Sequence, residues 1–313
     1  MNSPASKRNP RWRPLGWALP ALFAVLVVGY WQMTRQPAPV SLAVPGGDGG
    51  GLPRATPESE GFDAVGLQRA ADYARSNGAQ AFLVMRHSHL VVERYGGDVD
   101  VHSDVDGGSF AELLVALAAG IAVRDHAMSE PHSPLASAAL AAQIAAASHL
   151  SYPQFLSRKL WQPLNAAAAQ ILLTAPGATA PADCCLQARA TDWLRVAELV
   201  IADGRFEGTQ VLPAGWAQRV SQPSVADPGR AMGLWLASSA HGAEPYVAHE
   251  VLFLRGPGQT RLWMAPRQAI AILLVAPAGS GNDETRLPNM VFRALRESPS
   301  GTNRNIGDLV PHH

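Results

Sequence analysis

An α+β fold, with an antiparallel sheet assembled from both ends of the folded region and helices between, is the architecture this sequence predicts. Three observations carry it. Two β-branched and apolar runs, Ala81–Arg86 and Leu90–Tyr95, flank the short polar stretch His87-Ser88-His89, a β-hairpin signal. Alanine-rich segments with helical spacing fill the middle of the chain. Three further strand-like runs then follow, Val251–Leu254, Thr260–Met264 and Ile270–Val275.

Taken in order, residues 1–14 are basic, with Lys7, Arg8, Arg11 and Arg13, and are expected to stay cytoplasmic. Residues 15–34 carry no charge and are long enough to span a bilayer, with Trp17, Tyr30 and Trp31 at positions suited to its interfaces. A cleaved signal peptide is the alternative, but the bulky exit Tyr30-Trp31-Gln32-Met33 lacks a small-x-small cleavage site. An uncleaved single-pass inner-membrane anchor is therefore expected, with the rest of the chain in the periplasm or exterior. Residues 35–55, rich in Pro and Gly and including Gly46-Gly47-Asp48-Gly49-Gly50-Gly51, read as a flexible linker.

The folded domain is expected over 56–297. Its first helix covers 63–77, with Val65, Leu67, Ala70, Ala71 and Ala74 on one side. After the hairpin, the continuous apolar run 110–124 reads as a buried helix. Further helices are expected over 136–148, 152–160 and 190–203, the last stopping at Asp203-Gly204. Pro213-Ala214-Gly215-Trp216 starts a short helix, and a terminal one covers 286–296. Residues 298–313 read as a loose tail. No internal repeat is visible.

With 313 residues the chain can bury a sizeable core. Its 25 basic and 25 acidic residues cancel, which argues against nucleic-acid binding, because phosphate neutralisation needs a basic excess. The two cysteines, Cys184 and Cys185, are adjacent. Neighbours rarely bridge, so two small buried residues are expected there. No His-Glu-x-x-His or Cys-x-x-Cys spacing occurs, and Gly46 to Gly51 is followed by no Gly-Lys-Ser/Thr; neither a metal nor a cofactor is expected. The tryptophans at 161, 193, 216, 235 and 263 read as core.

The chemistry-bearing stretch is Ser109-Phe110-Ala111-Glu112, at the head of the apolar helix. Ser-x-x-Glu before an apolar run is also the capping-box pattern, in which the hydroxyl and carboxylate satisfy each other's backbone amides. That reading is preferred over nucleophilic function.

Several segments together resemble the serine β-lactamase-related and penicillin-binding-protein-like hydrolases, especially the class C β-lactamase type. They are the Thr56–Gly61 opening, the Phe82–Tyr95 hairpin, the Ser109–Val123 helix and Leu160-Trp161-Gln162-Pro163-Leu164. Ala190-Thr191-Asp192-Trp193-Leu194 with Asp203-Gly204, Val211-Leu212-Pro213, and the run from Leu262 through Pro266 to Val275 complete the set. The resemblance covers about 56–297 and implies a β-lactamase/transpeptidase-like fold and serine hydrolysis of an ester or amide.

All three motifs of that family are altered. Ser109 stands at the nucleophile, but Glu112 replaces the activating lysine, and a carboxylate is the weaker base by about three pKa units, roughly 4 kcal/mol of proton-transfer driving force. The Tyr-x-Asn position reads His132-Ser133-Pro134, in a segment between Arg124 and Tyr152 far shorter than the family's usual one. His132 could in principle act as a base. Gly256-Pro257-Gly258 occupies the Lys- or His-x-Gly place, beside Arg255, which retains a positive charge able to hold a substrate carboxylate. The resemblance thus implies a degenerate member that binds a cell-envelope ligand or a protein partner. The alternative is an active serine hydrolase of esterase, β-lactamase or peptidase type, using Ser109 with Glu112 or His132.

Overall fold

The computed structural model describes residues 40–130 and 136–296. The expected anchor at 15–34, the basic N-terminus, the tail from 298 and His132-Ser133-Pro134 lie outside the described residues. No described helix is long and apolar enough to cross a membrane.

The chain runs β1 (Val40–Val44), α1 (Ala64–Ser76), β2 (Ala81–Arg86), β3 (His89–Tyr95), β4 (Asp104–Asp106) and α2 (Phe110–Arg124). Next come α3 (Ser137–Ser148), α4 (Tyr152–Leu156) with a wider helical turn over 157–161, β5 (Ala169–Leu173), β6 (Leu186–Arg189) and α5 (Ala190–Ile201). The short hairpin β7 (Arg205–Phe206) and β8 (Thr209–Gln210) leads to α6 (Trp216–Val220) and β9 (Trp235–Leu236). The chain then closes with β10 (Leu252–Arg255), β11 (Arg261–Ala265), β12 (Ile270–Val275) and α7 (Arg286–Arg293).

Six of these strands form an antiparallel sheet in the order β3-β2-β12-β11-β10-β9, so the early hairpin and the late strands do meet. Strand periodicity divides their side chains between two cores. Leu83, Met85, Leu254, Leu262, Met264 and Leu273 pack on one face with α2 and α5. Phe82, Val84, Phe253, Trp263, Ile272 and Leu274 pack on the other with Leu67 of α1 and Leu287 and Val291 of α7. All six residues of β12 are buried, as a central strand covered on both faces requires. Twelve of the fifteen residues of α2 are buried, so its all-round apolarity serves the core. In α1 the buried set is Leu67, Ala70, Ala71 and Ala74; Val65, expected among them, is exposed.

Two sequence expectations are corrected, and one sheet is new. The linker assigned to 35–55 is folded over its described part. Residues 40–44 form β1, paired with β5 over five residues, and Gly47 N–H donates to Ala166 O at 2.8 Å while Asp48 N–H donates to Asn165 Oδ1 at 2.7 Å. Glycine here permits close backbone approach instead of conveying flexibility. The four-stranded sheet that β1 belongs to, in the order β1-β5-β6-β4, was not expected at all. Finally, Cys184 and Cys185 are bonded to each other, half-buried, with Cys185 in a positive-φ conformation.

Candidate functional site

The approach to Ser109 is set by a turn at Gly107-Gly108. Gly108 adopts φ +52°, and its amide donates to Asp106 Oδ1 at 2.8 Å. A Cβ on Gly108 would lie 2.7 Å from Pro257 Cδ, so the turn and the loop after β10 are in direct contact. The next residue, Phe110, stacks edge-on against Trp193 of α5 at 5.3 Å, and Trp193 Nε1 donates to Val105 O at 3.3 Å. Buried aromatic packing thus fixes the head of α2.

Ser109 does not cap that helix. Its backbone is helical, φ −69° and ψ −1°, whereas a capping residue is extended so that its oxygen can turn back over the first amides. The hydroxyl instead crosses to the sheet and donates to the carbonyl oxygen of Arg255 at 2.5 Å. Glu112 does not complete a box either. Its Oε2 accepts from Arg230 Nη2 at 2.9 Å, with the two side chains 28 % and 30 % exposed. The capping box expected from Ser-x-x-Glu is therefore absent, because each side chain finds a distant partner.

The loop carrying Arg230 is pressed onto α2. Gly233 has φ +73°, and a Cβ there would stand 2.6 Å from Leu113 N and 2.7 Å from Glu112 C, so only glycine lets this loop lie on the first helical turn. The Arg230 guanidinium also rests over the Trp235 ring, 4.1 Å from its centre.

Arg255 is likewise taken. Its guanidinium donates to both oxygens of Glu284 at 2.8 Å, to Ser239 O at 3.0 Å, and lies 4.3 Å from the Trp235 ring centre. Arg261, its register partner on β11, donates to the same carboxylate at 3.0 Å. Burial alone would raise the Glu284 carboxyl, but hydrogen bonds from Arg255 and the His241 amide, with the nearby positive charge, hold it below its usual range. Alternation puts Arg255 on the same face of β10 as Phe253, the face packed with α1 and α7. Gly256 falls on the opposite face, with Leu254 and α2. A Cβ there would approach Gly107 O at 3.2 Å. The Lys/His position of the third motif therefore carries no side chain, and the Arg255 guanidinium beside it serves an internal carboxylate. Gly258 (φ +61°) folds back onto Ala276 and Pro277.

Of the expected site residues, the structure brings together Ser109, the Arg255 backbone and Gly256. Glu112 and the Arg255 side chain sit in separate ion pairs, and His132 lies outside the described residues. Among the described residues, no lysine, histidine or tyrosine side chain is hydrogen-bonded to Ser109 or Glu112. Arg230 and Glu284 had no signal in the sequence, being 118 and 172 positions from Glu112 and lying in no recognisable motif; Trp235, expected in the core, is half-buried and carries the Arg230 and Arg255 guanidiniums. No group of His, Cys, Asp and Glu among the described residues is arranged to hold a metal ion.

No protein-family model and no curated protein sequence matches this chain. Solved structures do. A provisionally assigned 6-aminohexanoate-dimer hydrolase from Bacillus anthracis superposes with a TM-score of 0.62 at 14% identity, over 82% of this chain and 90% of that one. A penicillin-binding-protein homologue from Caulobacter crescentus gives 0.58 at 11% identity, over 74% and 98%. A β-lactamase from Mycobacterium bovis gives 0.54 at 14% identity, over 69% and 94%. The chain therefore has the fold of the β-lactamase/penicillin-binding-protein-like serine hydrolases.

Proposed function

We propose that this chain is a membrane-anchored, catalytically impaired relative of the β-lactamase-related serine hydrolases, acting as a binding or envelope-associated module. The observation that carries the reading is the pairing at the head of α2: Ser109 Oγ on a backbone carbonyl, and Glu112 on Arg230. Acyl transfer needs a base within hydrogen-bond reach of the attacking hydroxyl. A peptide carbonyl is not such a base, and the Glu112 carboxylate is turned to Arg230 and makes no hydrogen bond with Ser109. The second half of the site supports the same reading. Gly256 offers no cation on the face of Ser109, and Arg255 is bound to Glu284.

The test is labelling of the folded full chain with a fluorescent fluorophosphonate over a pH series. No labelling is expected. Labelling that disappears in Ser109→Ala would overturn the proposal in favour of an active serine hydrolase with Ser109 as nucleophile. The anchor assigned to residues 15–34 is tested separately. The full chain is expected in the membrane fraction after alkaline extraction, and release into the soluble fraction would remove that part of the proposal.

A further inference from the structure

A cavity of about 280 Å³ lies between the β2–β3 turn, the end of α5 and the β7–β8 hairpin. Its apolar walls include Leu52 and Phe206, both buried, and Ala202. Ser88 and Glu198 supply polar groups, and the exposed Arg205 and Glu207 stand at its mouth.

Glu198 is the unusual member. It is only 6% exposed, and the one hydrogen bond its carboxylate makes among the described residues is from Ser88 Oγ to Oε1, at 2.5 Å. A buried carboxylate normally has a cationic partner, because desolvating an unpaired charge is expensive. The nearby cations make their hydrogen bonds elsewhere, and Arg195 Nε, buried, is left without a hydrogen-bond partner among the described residues. Arg195 donates to Asp192 Oδ1 at 2.6 Å and to Gly50 O. Arg205 donates to Gly208 O at 3.0 Å and Gln210 Oε1 at 3.4 Å. His87 and His89 both direct Nδ1 at Glu60, at 2.8 and 3.0 Å. Burial, with Glu207 adding its negative charge, pushes the Glu198 carboxyl up against the opposing effects of Ser88, Arg195 and His89.

We propose that this cavity binds the ammonium end of a small alkylamine, with Glu198 as its anionic partner and Leu52 and Phe206 along its apolar stem. The donor geometry selects ammonium over guanidinium. A planar guanidinium fork needs both carboxylate oxygens, and Ser88 already holds Oε1. An ammonium is a compact donor that can use the remaining oxygen. A hard metal ion would need several converging oxygens, and here only one carboxylate is buried. The site is separate from Ser109 and does not depend on the reading of that residue.

The test is calorimetric titration of the full chain, near neutral pH, with n-pentylammonium chloride, with Nα-acetyl-lysine methylamide, and with 1-pentanol as the neutral control. Saturable binding of at least one ammonium probe and none of the alcohol is expected. Pentylammonium alone would point to a free amine as the natural ligand; binding of the lysine derivative would point to a lysyl side chain. Glu198→Gln, which keeps the acceptor for Ser88, should weaken binding by at least about tenfold, whereas Ser109→Ala should leave it unchanged. The proposal is overturned if neither ammonium binds at millimolar concentration, if pentanol binds equally, or if folded Glu198→Gln binds as wild type. Should Glu198→Gln fail to fold, the wild-type contrast between pentylammonium and pentanol, together with weakening in the exposed Glu207→Gln variant, decides the matter alone.

Discussion

Replacing Glu112 by lysine restores the family's Ser-x-x-Lys spelling, and it should damage the protein without reviving it. The lysine ammonium would stand where a carboxylate now meets Arg230 at 2.9 Å. Losing a partly exposed ion pair costs up to about 1 kcal/mol. Two like charges about 4 Å apart repel by roughly 4 kcal/mol at the effective dielectric of a protein surface. Both side chains are about 30% exposed, so screening and side-chain movement remove much of that repulsion. The net loss is then about 2 kcal/mol, equivalent to a fall of roughly 4–8 °C in melting temperature for a domain of this size. Adding Arg230→Gln should recover most of it, with a coupling energy in the double-mutant cycle of about 1–2 kcal/mol. Thermal melting of the four proteins measures the cycle, and raised salt should shrink the coupling. Fluorophosphonate labelling of Glu112→Lys should stay absent, because Ser109 keeps its bond to the Arg255 carbonyl. A variant as stable as wild type, or one that acylates, would refute the reasoning that Arg230 and the Arg255 carbonyl have taken over the site.

Other outcomes follow from the same geometry. Asp192 and Arg195 form a pair that is almost wholly buried, bonded at 2.6 Å, with Asp192 also accepting from Ala167 N–H. Asp192→Ala strands a buried guanidinium and should cost roughly 3–5 kcal/mol in chemical denaturation; a loss under about 1 kcal/mol would contradict this. Gly233→Ala drives a Cβ into the α2 backbone at a positive-φ position and should destabilise by roughly 2–4 kcal/mol. A neutral result would mean that the loop does not rest on the helix. Glu198 gives a pH signature. A carboxyl raised by burial holds its proton more tightly when folded, so its ionisation lowers stability as pH climbs from the ordinary carboxylate value through the native one. Stability curves of wild type and Glu198→Gln should therefore converge in acid, with the variant gaining above that window. Parallel curves would show that the carboxyl is not perturbed.

Most of the main sheet and its helices were legible in the sequence. The runs 81–86, 110–124, 190–203 and 270–275 carry strong periodicity or continuous apolarity, and each became the expected element. The four-stranded sheet was not legible. Its strands are three to five residues long, and two of them are half exposed or polar, too short for a period to emerge. The glycine-rich stretch at 46–51 was misread for a related reason. Composition cannot distinguish glycines that free a chain from glycines that let two backbones touch.

By itself the sequence determined the class of fold, the position of Ser109 at a helix head, and the absence of lysine one turn on. Residues adjacent along a helix or strand meet whatever the rest of the molecule does, so such relations survive without coordinates. Tertiary structure alone decided what each side chain does with its polar atoms. Ser-x-x-Glu satisfies every local rule for a capping box, yet Ser109 bonds a carbonyl 146 residues away and Glu112 an arginine 118 residues away. Packing of the 230–235 loop and of β10 against α2 brings those partners within reach. A charged partner, or a sheet carbonyl held against the helix by the core, outcompetes a local cap worth only about 1 kcal/mol.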